Sequence, residues 1–199
     1  MSINDIFTEE YINKSISGLM KKPDSHGIDG IKARDFVEWF NLNKVEFMED
    51  IKTNGYISDP VKSIEMLKVN GKRRKVNLLT AKDRFLENLV LSYLEDKVEL
   101  YKNSFAFQKN KSVKDAITLI KNFISADNYF MLEVDVENYF DNIDLDLLSE
   151  FIYDNVDDDD VCRLIIALVK HRIYDNHEVC QNNKGIIQAI SLSAILTDI

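Results

Sequence analysis

Asp135 is the residue best placed to do chemistry. It closes the run Tyr129-Phe130-Met131-Leu132-Glu133-Val134-Asp135-Val136, whose β-branched and aromatic content predicts a strand. A carboxylate delivered at a strand end can hold Mg²⁺, a hard cation that takes one or two carboxylates and fills its remaining positions with phosphate oxygens and water. Phe140 follows, and then Asp141-Asn142-Ile143-Asp144. The same acids also suit an ordinary strand-to-helix turn, with Asp141 and Asp144 capping a helix. Spacing alone leaves both readings open. A second group with chemical potential is cationic. Ile64–Val69 and Lys72–Leu79 flank Asn70-Gly71, the dipeptide that most strongly signals a two-residue hairpin turn. Such a hairpin carries Lys68, Lys72, Arg73, Arg74 and Lys75. Asp157-Asp158-Asp159-Asp160 precedes a helical pattern and reads as a helix start, where acids meet the positive end of the dipole.

The elements that must position these residues follow from period and punctuation. Helices are predicted over 3–22, over 32–54 with Phe36, Phe40, Phe47 and Ile51 at helical spacing, and over 81–102 with Thr80 as N-cap. Another runs from Ser112 to about Ile124, another from Asp144 to Tyr153, and a last one from the acidic run to about Arg172. Ser25-His26-Gly27-Ile28-Asp29-Gly30 is a loop of turn formers. Helices interleaved with a hairpin and a further strand predict an α+β fold, a mixed sheet with packed helices.

Composition narrows the function classes. The chain has 199 residues with 45% hydrophobic and 30% charged content, ordinary for a globular protein with a real core. No apolar run spans a bilayer and the N-terminus lacks a signal-peptide pattern. Cys162 and Cys180 make neither a disulfide framework nor a zinc site, so a reducing, cytoplasmic setting is expected. His26, His171 and His177 have no partner spacing. The net charge of -9 opposes a simple nucleic-acid binder, but it hides an asymmetry. Residues 1–59 carry -4. Residues 60–122 carry 14 Lys and Arg against 7 Asp and Glu, a net +7, and residues 123–199 carry -12. A basic block facing a polyanion beside an acidic block facing cations or solvent is the physical reading.

The stretch Asp135…Phe140-Asp141-Asn142-Ile143 resembles the first catalytic motif of reverse transcriptases of the bacterial group II intron and retron-like kind. Further segments match that family in order. These are Gly27-Ile28-Asp29-Gly30, Gly55-Tyr56 with Pro60-Val61, the Asn70-Gly71 hairpin, Asp83-Arg84, Ser104-Phe105-Ala106-Phe107-Gln108 through Ala116-Ile117, and Gly185-Ile186-Ile187-Gln188-Ala189 through Ser193. The resemblance divides the chain into an N-terminal helical segment (1–26), a fingers region (27–128) and a partial palm (129–199). It departs from the family at Lys75, Gln108 and Ala189, and Ile199 precedes the point where the family places a Tyr-x-Asp-Asp hairpin.

The resemblance implies RNA-directed DNA polymerisation: a primer 3′-hydroxyl attacks a dNTP on an RNA template, with two Mg²⁺ (or Mn²⁺) ions as cofactors. It implies Asp135 as catalytic residue and metal ligand. Lys68, Arg74, Val136, Phe140 and Gln188 would bind dNTP, with Phe140 as the ring that excludes a 2′-hydroxyl. Lys72, Arg73, Lys75, Lys109 and Lys111 would meet the nucleic acid. Implied partners are the RNA template, a DNA primer, and the remaining palm and thumb or another chain, without a membrane. The departures raise an alternative, a non-catalytic nucleic-acid-binding or assembly module on the same fold, in a setting such as phage defence. The acidic balance leans toward a retron-like or defence role over one that grips a large intron RNA.

Overall fold

The computed structural model describes residues 3–67, 71, 73–98, 103–105, 111–125, 130–175, 178–182, 184–187 and 191–196. A short 3-10 turn, Ile3–Asp5, leads into α1 (Glu9–Leu19), where Thr8 Oγ1 accepts from Tyr11 N at 3.3 Å. α2 (Ala33–Asn54) bends at Asn43 and stops at Gly55, whose φ of 74° a side chain would resist. β1 (Val61–Leu67) and β2 (Arg73–Leu78) form the antiparallel hairpin, with Met66 opposite Arg74. Gly71 between them has φ 77°, as the turn chemistry requires. α3 (Ala81–Lys97) starts at Thr80, whose hydroxyl accepts from Asp83 N at 3.2 Å.

α4 (Val113–Ser125) opens with a reciprocal cap, Ser112 N donating to Asp115 Oδ2 at 2.8 Å and Asp115 N to Ser112 Oγ at 3.3 Å. The single turn α5 (Tyr139–Asn142) precedes α6 (Leu145–Asn155), which Asp144 caps. α7 (Asp159–Val169) is capped by Asp158, so the acidic run is a helix start as expected. β3 (Ile173–Asp175), β4 (Glu178–Cys180) and α8 (Ser191–Leu196) follow.

α3 organises the core. Phe85, Leu86, Leu89, Val90, Tyr93 and Leu94 have no exposed surface, because α1, α2, α7 and α8 pack around this helix. The rings of Phe40 and Phe85 lie 4.5 Å apart, with Phe36 and Phe47 closing an aromatic cluster between α2 and α3. One hydrophobic core runs from Ile3 to Leu196, so all three predicted segments contribute to it.

Among the described residues the sheet has the order β2-β1-β3-β4, with β1 and β3 parallel and the other pairs antiparallel. This is the expected α+β arrangement with a mixed sheet, but two of its strands come from unexpected places. β3 and β4 lie beyond α7, and the backbone joins them to β1 through Val61 N donating to Arg172 O at 2.8 Å. The predicted helix to Arg172 therefore stops at Val169.

The strand predicted over 129–136 needs correction: Tyr129 lies outside the described residues, and Phe130–Val136 belongs to no strand. Its apolar side chains are open to solvent, Phe130 at 101%, Leu132 at 87% and Val134 at 76%. A strand exists only through its neighbours, and none of the four strands of the sheet lies beside this run. α4 is equally uncovered, with Ile117, Ile120 and Phe123 exposed and no residue buried. Among the described residues no helix is long and apolar enough to cross a membrane.

Candidate active site

Asp135 sits on the exposed run that enters the turn Glu137-Asn138. Asn138 takes φ 50°, ψ 45°, the left-handed conformation that Asn tolerates better than most residues. The turn throws the chain straight into α5, which carries Phe140 and Asp141. Phe140 is half-buried, packs against the core, and sets its ring edge-on to Tyr139 at 5.5 Å. Val136 is exposed. Asp144 ends the motif as the cap of α6, accepting from Asp146 N at 2.9 Å and Leu147 N at 3.1 Å. Those two amide donors hold its carboxyl below the usual range.

The segment 184–187 docks on this turn. Gly185 N donates to Ile143 O at 2.8 Å and Ile186 N to Phe140 O at 2.9 Å. A Cβ on Gly185 would lie 2.8 Å from Phe140 O and from Asp141 O, and its φ is 77°. Glycine is therefore required there by both conformation and space. Two segments far apart in sequence are thus brought together, the one after Asp135 and the one leading to Gln188. Gln188 itself lies outside the described residues, as do Lys68, Lys72 and Lys109.

Arg74 and Lys75 are on β2, opposite Met66 and Glu65. Arg73 pairs with Glu65 across the hairpin at 2.8 Å and stays largely exposed. Lys111 donates to Ser104 O at 2.7 Å and lies over the Phe105 ring at 5.3 Å, so it braces the loop before α4.

Sequence reading missed a buried polar spine along α3. Asp83 is fully buried; Tyr56 Oη donates to its Oδ1 at 2.6 Å and Asp59 N to its Oδ2 at 3.2 Å. Thr80 Oγ1 lies 2.9 Å from Asp83 Oδ2 and 3.1 Å from Asp59 Oδ2. Burial pushes the Asp83 carboxyl up to about 6, against the hydrogen bonds from Tyr56 and Thr80 that favour its charge. One turn on, Glu87 Oε1 meets His171 Nε2 at 3.3 Å, and both residues are buried. Burial pushes Glu87 up to about 7, with the contact to His171 opposing the rise. Arg84 faces the other way and donates to Ser25 Oγ at 2.7 Å and Ser25 O at 3.1 Å. It anchors the Gly27–Gly30 loop, where a Cβ on Gly27 would lie 2.5 Å from Thr80 N. Gly55-Tyr56, Asp83-Arg84 and the Thr80 cap are each visible in the sequence, but not their meeting; a contact between residues 84 positions apart has no local signal.

Among the described residues no group of three or more His, Cys, Asp or Glu could hold a metal ion. The described residues therefore do not form a complete two-ion site. An open apolar groove of about 290 Å³ lies beside the turn, lined by Tyr139, Ile143, Leu147, Phe151, Ile186 and Leu196 among others.

No protein-family model matches the sequence. The COX1/OXI3 intron 2 protein of Saccharomyces cerevisiae is 28% identical over 193 residues, covering 94% of this chain and 21% of that protein. The group II intron-encoded protein LtrA of Lactococcus lactis subsp. cremoris is 26% identical over 169 residues, covering 83% of this chain and 28% of its own length. Among solved structures, a chain of a partial Cas6-RT-Cas1–Cas2 complex superposes with a TM-score of 0.52 at 13% identity, covering 98% of this chain and 33% of the other. The chain is thus similar in sequence to group II intron-encoded proteins and in fold to the chain of that complex. It spans about a quarter of the length of the curated relatives it matches. The Gly185 segment and the turn after Asp135, the two segments that resemble motifs of reverse transcriptases, are in direct contact.

Proposed function

We propose that this chain forms the fingers and first part of the palm of an RNA-directed DNA polymerase that adds dNTPs to a primer 3′-hydroxyl. The observation that supports the reading is the docking of Gly185 and Ile186 on α5 and the residue after it, which joins the turn after Asp135 to a segment distant in sequence. Asp135 is one ligand for catalytic Mg²⁺, and the remaining carboxylates come from outside the residues described. When bound, the ions neutralise charge on the reacting phosphate. The rest is positioning by the chain itself. Lys68 and Arg74 grip the triphosphate, with Arg suited to bidentate contact. Phe140 stands under the sugar and leaves no space for a 2′-hydroxyl. Lys72, Arg73, Lys75, Lys109 and Lys111 supply charge toward template and primer, an attraction that falls with salt.

The uncovered apolar run Phe130–Val136 and the bare face of α4 support the second half of the proposal, that further palm strands pair beside Asp135. A run this apolar that pairs with no strand among the described residues behaves as a sheet edge open to a neighbour. The test is templated dNTP incorporation by the polymerase containing this chain. Asp135→Asn should cut incorporation by orders of magnitude with the circular dichroism spectrum unchanged, and the purified 199-residue chain alone should not polymerise. Near-normal incorporation by Asp135→Asn would end the proposal.

A further inference from the structure

The turn after Asp135 and the segment before Gln188 are joined by one side chain. Asn142 Nδ2 donates to Glu137 O at 3.3 Å and Asn138 O at 3.2 Å, closing the turn from below. Its Oδ1 accepts from Lys184 Nζ at 2.9 Å, reaching across to the other segment. The partners fix which way the amide faces. Carbonyls only accept and an ammonium only donates, so the reversed amide would lose every one of these bonds. The turn needs such a fastening because Asn138, inside it, is held at positive φ.

The backbone completes the join. Ile186 N donates to the carbonyl of Phe140 itself, and Gly185 N donates to Ile143 O. A side chain on Gly185 would push on the carbonyls of Phe140 and Asp141. Asn182 Nδ2 donates to Gly185 O at 2.8 Å and steadies the segment from its far side.

We propose that Asn142, Lys184 and Gly185 are positioning residues for nucleotide selection: they lock the turn bearing Phe140 to the segment Lys184–Ile186, so that the ring is held in one place against the incoming nucleotide. The proposal rests on the reading of Phe140 as the residue that senses the sugar. None of the three touches the nucleotide. Asn142 and Lys184 act through the turn, and Gly185 acts by permitting close approach. Asn142→Asp keeps an acceptor for Lys184 but loses both donors to the turn. Lys184→Met keeps the stem and loses the reach across. Lys184→Arg keeps a donor and should behave as the wild type. Gly185→Ala forces the segments apart.

The experiment has two arms. In the 199-residue chain, amide hydrogen exchange at Gly185 and Ile186 should quicken at least tenfold in Asn142→Asp and Lys184→Met, with overall helicity unchanged, and should stay at the wild-type rate in Lys184→Arg. In the full polymerase, the ratio of kcat/KM for dNTP over rNTP should fall at least tenfold in Asn142→Asp, Lys184→Met and Gly185→Ala. The loss should appear mainly in KM for dNTP, with Lys184→Arg again near wild type. Unchanged exchange overturns the proposal, and so does faster exchange with unchanged sugar selectivity. A wild-type polymerase that incorporates nothing overturns the polymerase reading, and this inference with it, whatever the exchange arm shows.

Discussion

Replacing Glu87 with Gln should make the protein more stable above neutral pH, although it removes the carboxyl group that faces His171. Glu87 is buried on α3 and its carboxyl is pushed from 4.5 to about 7, chiefly by burial. His171 Nε2 at 3.3 Å opposes the rise, and Asp83 and Arg84 on the same helix act in opposite directions. Tyr56 and Asp59 belong to the neighbouring polar cluster. A raised folded-state value means that the native protein holds a proton which the unfolded chain releases. The associated stability is therefore fully present below about pH 4.5 and is lost as pH rises through about 7. The shift from 4.5 to about 7 corresponds to about 3 kcal/mol. Gln cannot ionise and still reaches His171. Urea unfolding followed by circular dichroism at pH 4, 6 and 8 should show the variant within about 1 kcal/mol of wild type at pH 4 and more stable by up to about 3 kcal/mol at pH 8. Asp83, raised to about 6, contributes a slope of the same sign at lower pH in both proteins, so only the difference between them is diagnostic. A Gln variant that loses more stability at pH 8 than at pH 4 would refute the reasoning, because Glu87 would then be ionised and stabilising as an ion pair.

The other predictions concern tight packing and the site. Gly27→Ala places a methyl 2.5 Å from the backbone of Thr80 and should destabilise by about 1–3 kcal/mol in urea unfolding, with the damage localised by hydrogen exchange to the start of α3. Lys68→Ala and Arg74→Ala should each weaken dNTP use by roughly 1.5–3 kcal/mol in kcat/KM, the loss of one charge-assisted contact. Phe140→Ala should instead raise relative rNTP incorporation, and an unchanged dNTP/rNTP ratio would assign the ring to the core alone.

Much of the fold was legible because local chemistry decided it. Thr80, Ser112, Asp144 and Asp158 each cap the helix that their sequence position promised. Gly71 takes the positive φ that a hairpin turn at this position calls for. What escaped the sequence was non-local. β3 and β4 have three residues each, too short for alternation to register, and exist because β1 offers Ile173 a parallel neighbour. Phe130–Val136 has every local mark of a strand and is not one among the described residues, because pairing is a property of two segments.

The candidate site divides along the same line. Asp135, Phe140 and the Gly185 segment could be named from residue types and order, because each motif is local. Their relation could not, because it depends on two amides, at Gly185 and Ile186, finding the carbonyls that α5 leaves unpaired at its end. A one-turn helix cannot satisfy its own last carbonyls, so something must, and only a segment with glycine at the point of contact comes close enough. The requirement for Gly185 is thus set by residues some forty positions earlier, as the requirement for Gly27 is set by Thr80. Both glycines lie in motifs that the sequence offered as family resemblance. The structure supplies a physical reason for them: each lets one motif seat directly on the backbone of another.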